Sequence, residues 1–279
     1  MVRLPDRRMV QLAGRRVSYL SSGPPDAPSV VVFIHAFPLN AEMWAPQLHA
    51  LPASWRALAP DLRGFGQSDP DPAATPRRDG ADLDDYAADI VALLDHEGVG
   101  RAVVCGCSMG GYTAFALLRR VPERVAGLVL ADSKAGPDGD QAKANRLVML
   151  DLVERDGAEA VAHEMLPKLL GRTTRIRRPD VSAAVAEYMR AATTSGIAHA
   201  VVRIMRRPDS LPLLRSLDLP VLLVVGNEDE LTPVAESEAM GAAARRGALA
   251  VIPGAGHLSN LEAPDAFNRA LTAFLTTRF

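Results

Sequence analysis

Hydrophobic residues occur along the chain in short, nearly continuous runs that predict buried strands. Most of these runs are apolar at almost every position rather than at every second one. Strands that helices cover on both faces have this pattern, whereas strands with one solvent-exposed face alternate between apolar and polar residues. The predicted strands are Val30–His35, Arg56–Pro60, Ala102–Cys107, Val125–Asp132, Val221–Gly226 and Ala248–Pro253.

Helical spacing separates most of these runs. Between the second and third runs, apolar residues recur at i, i+3, i+4 and i+7 from Leu83 to Leu94, as on one face of a helix. Three aspartates lie in the first turn of this predicted helix, where the helix dipole favours negative charge. Strands that alternate with helices in this way predict an α/β fold whose sheet is mostly parallel and doubly wound.

The alternation stops after Asp132 and resumes at the stretch LPVLLVVG. In between, the pattern favours helices, as at Asn145–Glu154, Ala158–Leu170 and Val181–Met189, and no run predicts a strand. We therefore predict that residues 1–132 and 209–279 form the α/β core and that residues 133–208 form an inserted helical cap.

Composition places the chain among ordinary globular proteins. It has 279 residues, of which 48% are hydrophobic and 23% charged, and a net charge of -2. This balance provides no basic surface for nucleic acid, and no apolar run approaches the ~20 residues that a membrane span needs. Two cysteines, Cys105 and Cys107, are too few for a zinc or disulfide framework. We expect a soluble cytoplasmic protein, a monomer or homodimer, with no nucleic-acid or membrane partner.

One serine stands where the third apolar run passes into a helical pattern. In the stretch VVCGCSMGGYTAFALL, Ser108 has glycines two residues before and after it, in G-x-S-x-G form. A side chain on such a sharp turn is exposed at the carboxyl edge of the sheet, where α/β folds present their ligands. The small residues Gly106, Gly110 and Gly111 let the strand and the helix approach closely. We predict that Ser108 is a nucleophile rather than part of an ordinary tight turn.

A serine hydroxyl needs a base to take its proton and an acid to hold that base. His257 is the predicted base, because it lies in a glycine-rich loop just beyond the last predicted strand. Asp229 is the predicted acid, in the loop after Val221–Gly226, and Asp132, which also follows a strand, is the alternative. The other histidines are His35, His49, His96, His163 and His199.

These residues and their surroundings resemble the α/β-hydrolase fold family over nearly the whole chain outside the predicted cap. HAFPLNAEMW (35–44) is similar to the family's oxyanion segment, and DLRGFGQSD (61–69) to the loop after its next strand. GNEDELTP is similar to its acid loop and PGAGHLSNLEAP to its histidine loop. The resemblance implies about eight strands, a helical cap and chemistry without a metal or cofactor. It is closest to capped esterases, enol-lactonases, cofactor-free haloperoxidases (perhydrolases) and carbon–carbon bond hydrolases.

Acyl transfer needs hydrogen-bond donors at the developing oxyanion. The N–H of Met109 is one predicted donor, since it lies at the start of a helix, where N–H groups are free. The resemblance makes the N–H of Phe37 the second donor. Ala36 stands where the family has glycine, and an alanine there would be strained if the position required a positive φ.

The predicted function is a serine hydrolase that cleaves carboxylic esters of small to medium acyl or aryl groups through an acyl-enzyme intermediate. The expected partner is a small-molecule ester or lactone. The main alternative is a lactone hydrolase similar to 3-oxoadipate enol-lactonase. Perhydrolysis, carbon–carbon bond hydrolysis and non-catalytic ligand binding are further alternatives. The substrate pocket is predicted to be apolar and to be lined by Phe37, Met109, Met149, Leu150, Leu152 and Val153.

Overall fold

A single eight-stranded sheet forms the centre of the fold in a computed structural model that describes residues 5–71 and 81–279. The strands lie in the spatial order β1-β2-β4-β3-β5-β6-β7-β8. The β2 strand is antiparallel to β1 and to β4, and all other neighbours are parallel. The strands are β1 (Asp6–Leu12), β2 (Arg15–Ser22), β3 (Ser29–Ile34), β4 (Trp55–Pro60), β5 (Ala102–Cys107), β6 (Val125–Ala131), β7 (Val221–Gly226) and β8 (Gly247–Ile252).

Helices connect the parallel strands. Two short 3₁₀ helices also occur, at Ala41–Trp44 and Pro122–Arg124. The α-helices are α1 (Ala45–Ala50), α2 (Leu83–His96), α3 (Met109–Arg120), α4 (Asp140–Leu169), α5 (Arg172–Arg177), α6 (Pro179–Arg190), α7 (Thr194–Arg206), α8 (Leu211–Ser216), α9 (Val234–Ala243), α10 (Ser259–Glu262) and α11 (Pro264–Arg278).

The central strands are apolar throughout because both of their faces are covered. Every residue of β4, β5 and β7 is buried. All six predicted strands are confirmed, each within one residue at either end. The edge strand β1 and its neighbour β2 are missing from the prediction. The β1 strand is mostly exposed and lacks the apolar run on which the prediction depends, and serines interrupt the apolar residues of β2. The predicted fold class, a mostly parallel sheet of about eight strands with helices, is confirmed.

The strand order places a topological switch point at the centre of the sheet. The chain passes from β3 outward to β4, and then returns to form β5 on the other side of β3. Loops that follow β3 and β5 therefore leave neighbouring strands at the same carboxyl edge. Open α/β sheets bind ligands at such a point, and the loops contain Phe37 and Ser108 respectively.

A helical segment interrupts the sheet between β6 and β7. Within residues 132–220, all of which the structure describes, no strand forms, and helices α4 to α7 occupy most of the length. The backbone of α4 leaves helical geometry at Gly157, whose φ is 79°. This break separates two halves that correspond to the predicted Asn145–Glu154 and Ala158–Leu170 segments.

Candidate active site

Ser108 lies on the turn between β5 and α3 in an uncommon backbone conformation. Its φ is 50° and its ψ is -112°. The turn is held on both sides, since the Ser108 N–H donates to the Ala131 carbonyl at 2.9 Å and the Ser133 hydroxyl donates to the Ser108 carbonyl at 3.0 Å. A non-glycine residue at positive φ persists only where its surroundings impose it, which is typical of functional sites.

The glycines around Ser108 are required by close backbone contacts. A Cβ atom on Gly106 would lie 2.3 Å from the carbonyl carbon of Gly110, and one on Gly110 would lie 2.1 Å from the carbonyl oxygen of Ile34. Both clashes involve backbone atoms, which cannot move aside as a side chain can. The pattern G-x-S-x-G therefore lets α3 start directly against β3 and β5.

Three buried side chains from distant loops form a continuous hydrogen-bonded series. The Oγ of Ser108 is 2.8 Å from Nε2 of His257, and Nδ1 of the same ring is 2.8 Å from Oδ2 of Asp229. In the tautomer that satisfies both contacts, Nδ1–H donates to the carboxylate and Nε2 accepts from the serine hydroxyl. The structure thus brings together the three residues that the sequence singled out, from the ends of β5, β7 and β8.

Asp229 is held by its own loop as well as by the imidazole. Its Oδ1 accepts the N–H groups of Leu231 and Thr232, and its Oδ2 accepts the Thr232 hydroxyl at 2.6 Å. Burial would raise the pKa of Asp229, but the nearby His257 and these hydrogen bonds outweigh it and hold the pKa below its usual value. The acid is therefore ionised and fixed in orientation. Sequence reasoning missed Thr232.

The environment of His257 favours its charged form. Burial lowers the pKa of the imidazole, but the Asp229 carboxylate, followed by Asp132 and Glu262, more than offsets that effect and raises the pKa above its usual value. An imidazole that gains a proton readily is suited to accept one from a serine hydroxyl.

Asp132, the alternative acid, is fully buried and has other partners. Its Oδ1 accepts the Gly226 N–H at 2.9 Å, and its Oδ2 accepts the N–H and hydroxyl of Ser259 at 2.9 and 2.6 Å. Burial, together with the charge of Asp229, raises the pKa of Asp132 to about 7. Asp132 connects the end of β7 to the loop that carries His257, whereas the ring itself contacts Asp229.

The predicted oxyanion donors are both available. None of the hydrogen bonds found among residues 5–71 and 81–279 uses the N–H of Phe37 or Met109. The described non-glycine residues with positive φ are Ala13, Ser108 and Asp132. Because Ala36 is not among them, the strain considered for alanine at that position does not arise.

Residues 29–264 match the alpha/beta hydrolase fold family. The chain belongs to this family. It is similar to 3-oxoadipate enol-lactonase 1 of Acinetobacter baylyi, with 28% identity over 265 residues that cover 94% of each chain. A malate-bound thermophilic esterase from Thermogutta terrifontis superimposes with a TM-score of 0.89 at 34% identity, over 98% of both chains. The enol-lactonase of Burkholderia xenovorans gives a TM-score of 0.86 at 26% identity, over 96% of this chain and 100% of that one.

Ser108 lines a cavity of about 240 Å³ between the sheet edge and the helical segment of this hydrolase. Its lining combines apolar side chains with several charged ones, whereas the sequence predicted apolar side chains alone. The lining residues are Phe37, Ser108, Tyr112, Lys134, Asp138, Ala142, Asn145, Arg146, Met149, Met165, Lys168, Leu169, Ile204, Leu231, Thr232 and His257.

Two of the six predicted pocket residues, Phe37 and Met149, line this cavity. The side chains of the other predicted residues point elsewhere. Helix α4 turns one face to the cavity and another to the core, and the apolar residues that sequence reasoning chose lie mostly on the core face. Met109, Leu150 and Val153 are at most 1% exposed, and Leu152 lines a neighbouring groove.

Sequence reasoning missed the polar lining of this hydrolase. Lys134 and Asp138 lie in the loop that follows β6, at the same sheet edge as Ser108. Their position after a central strand was a usable signal, since ligands of α/β folds bind there. In the described part of the chain, no group of three His, Cys, Asp or Glu side chains could hold a metal ion, and no helix is long and apolar enough to cross a membrane.

Proposed function

We propose that this hydrolase cleaves carboxylic esters by way of an acyl-enzyme on Ser108. The observation that carries the proposal is the pair of 2.8 Å contacts that join Ser108 Oγ to His257 and His257 to Asp229. A hydroxyl, a base and an ionised acid in this arrangement are what acyl transfer to serine requires.

In the first half-reaction, the hydroxyl of Ser108 attacks the ester carbonyl as Nε2 of His257 takes its proton. Asp229 stabilises the resulting imidazolium through Nδ1–H. The tetrahedral intermediate collapses, the bond to the alcohol breaks, and the alcohol leaves with the proton from His257. In the second half-reaction, His257 activates water, which attacks the acyl-enzyme and releases the acid and the free serine.

We assign the N–H groups of Phe37 and Met109 to the oxyanion. They follow β3 and β5, which are neighbouring strands, so they flank the position that a carbonyl attacked by Ser108 would occupy. The N–H of Met109 also lies at the positive end of the α3 dipole. Donors fixed before the reaction typically contribute about 10²–10³-fold in rate each.

We also propose that residues 133–208 act as a cap that limits substrate size. The residues that close the cavity opposite the sheet come largely from α4 and include Arg146, Met149 and Met165. A volume of about 240 Å³ is small for a ligand pocket. Esters of short acyl chains are therefore the expected substrates, and activity should fall as the acyl chain lengthens.

A lactone hydrolase is the second candidate function. The relatives of Acinetobacter baylyi and Burkholderia xenovorans are named as enol-lactonases and align with almost the whole chain. The same steps apply to a lactone, except that the leaving alcohol stays attached to the acyl group. A comparison of an enol-lactone with open-chain esters of equal size distinguishes the two candidates.

Replacement of the serine tests the proposal directly. Ser108→Ala should lower kcat for p-nitrophenyl acetate and butyrate by about 10⁴-fold or more, as loss of a triad nucleophile does. Ser216→Ala, which alters an exposed serine, is the matched control. A fluorophosphonate probe should label the unaltered protein and fail to label Ser108→Ala. Activity or labelling that survives in Ser108→Ala would refute the assignment.

A further inference from the structure

The cavity beside Ser108 contains a lysine that forms no ion pair with any described residue. Lys134 lies in the loop between β6 and α4 and is half-buried. None of the ion pairs or hydrogen bonds found in the described part of the chain includes its ammonium group. Leaving a partly desolvated charge without a partner costs free energy, so such groups usually have one.

The acidic residue that lines the same cavity already has two partners. The Asp138 carboxylate, with a side chain only 1% exposed, forms ion pairs with Nε of Arg146 at 3.1 Å and with Nη2 of Arg207 at 2.8 Å. Two arginines thus share one carboxylate next to Lys134. Burial, followed by the positive charge of Arg207, lowers the pKa of Lys134 below its usual value.

Lys168, the other lysine of the cavity, differs from Lys134. It forms an ion pair with Glu164 one turn earlier on α4, and its side chain is 50% exposed. The charged side chains that line the cavity therefore leave an excess of positive charge. Among these cations, Lys134 is the one that forms no ion pair with a described acid, and the carboxylates of Asp138 and Glu236 act on it only at longer range.

We propose that the ammonium of Lys134 binds a carboxylate of the substrate, so that the preferred substrates are esters or lactones that carry a second, free carboxylate. This inference rests on the proposed function of Ser108. A carboxylate would form charge-assisted hydrogen bonds with the ammonium, whereas a neutral substrate would leave this half-buried charge without an ion pair. Monoesters of short dicarboxylic acids fit both this charge and the cavity volume of about 240 Å³.

The test compares matched substrates that differ in charge alone. Monomethyl glutarate carries the carboxylate on the acyl side and 3-acetoxypropionate carries it on the alcohol side. Each is paired with its neutral primary amide. The kcat/KM of the unaltered protein should be about 10- to 100-fold higher for the anionic member of at least one pair, as expected for a hydrogen bond between charged groups. Equal values in both pairs would overturn the inference.

The variants assign the preference to Lys134. Lys134→Gln should reduce the anionic-to-amide ratio of kcat/KM by about tenfold or more, and Lys134→Glu should reverse it. Lys143→Gln is the matched control, since it removes the same charge from an exposed position on α4 that does not line the cavity. If the anionic-to-amide ratio of kcat/KM were the same in Lys134→Gln as in Lys143→Gln, the assignment to Lys134 would be contradicted.

A binding measurement separates this inference from the proposed reaction. In Ser108→Ala protein, calorimetry should show tighter binding of monomethyl glutarate or 3-acetoxypropionate than of its amide, and the additional Lys134→Gln change should abolish the difference. Hydrolysis of neutral esters without such a difference would refute only the carboxylate site. If Ser108→Ala protein bound the anionic compounds selectively but the unaltered protein hydrolysed none of the esters, the proposed function would be refuted and the carboxylate site would be retained.

Discussion

Three buried carboxylates, those of Asp229, Asp132 and Glu262, raise the pKa of His257, but only Asp229 contacts the ring. Asp229 forms the hydrogen bond to Nδ1, whereas Asp132 acts through its charge and through the loop that it holds at Ser259. Both residues follow strands at the carboxyl edge of the sheet, so their positions in the chain do not distinguish them. The distinction comes from the direction in which each side chain points.

The charge of Asp132 should be detectable in the pH dependence of activity. The reaction needs neutral His257, so kcat/KM should decline as the pH falls through the raised pKa of that imidazole. Asp132→Asn removes a carboxyl whose ionised form raises this pKa, and the acid limb of the kcat/KM profile should therefore move to lower pH. Glu230→Gln, an exposed loop charge, is the control. A limb that moves to higher pH in Asp132→Asn would contradict this account.

At the scale of elements, two carboxylates connect the helical segment to the loops of the candidate active site. Glu262 on α10 accepts N–H groups from Gly171, Gly256 and Leu258, at 2.8, 2.9 and 3.1 Å. Glu228 accepts the N–H and the hydroxyl of Thr173 in α5. The loop that carries His257 is therefore joined to the beginning of α5 through side chains rather than through a strand.

Loss of the Glu262 contacts should affect both stability and catalysis. Glu262→Ala leaves three buried N–H groups without an acceptor, and the free energy of unfolding should fall by about 2–4 kcal/mol. The kcat for p-nitrophenyl esters should fall as well, because Gly256 and Leu258 flank His257. Chemical denaturation and steady-state kinetics measure the two effects. Glu230→Ala is the control, and a variant as stable as that control would show that the loop is held by other contacts.

At the scale of the whole molecule, one buried arginine joins the helical segment to the core. Arg203 on α7 forms ion pairs with Asp71 at 2.8 Å and with Asp85 of α2 at 2.7 Å. Its guanidinium lies 4.5 Å from the ring centre of Tyr86. Burial opposes the charge, but these partners outweigh it and raise the pKa of Arg203, so the group stays charged.

Removing this arginine should destabilise the fold far more than removing an exposed one. Arg203→Gln leaves Asp71 and Asp85 with Arg63 as their remaining arginine partner, and breaking a buried pair such as Arg203–Asp71 costs about 3–5 kcal/mol. A fall in Tm of about 10 °C is expected for a chain of this size. Arg190→Gln breaks an exposed pair with Glu187 and should change Tm by about 2 °C or less. Similar Tm values for the two variants in thermal denaturation would refute the role of Arg203.

The sequence by itself determined the central strands, the helices between them and the turn at Ser108. Continuous apolar runs, helical spacing and paired glycines are local patterns, and their physical causes act between residues that are close in the chain. The sequence did not predict β1 because an exposed edge strand does not require an apolar run, and it did not predict β2 because serines interrupt the apolar residues of that buried strand. The positions of Asp229 and His257 beyond the ends of β7 and β8 could also be read from the sequence, since parallel strands deliver their loops to one edge.

Only the tertiary structure decided what lies inside the cavity. Apolar spacing on α4 shows that a face is buried but not what it is buried against, and Leu150 and Val153 pack into the core instead of lining the pocket. The two partners of Asp138, Arg146 and Arg207, are far apart from each other in the chain. No local sequence pattern therefore shows that Asp138 is already paired and that Lys134 forms no ion pair. Charge balance in a cavity is a sum over side chains that only folding brings together.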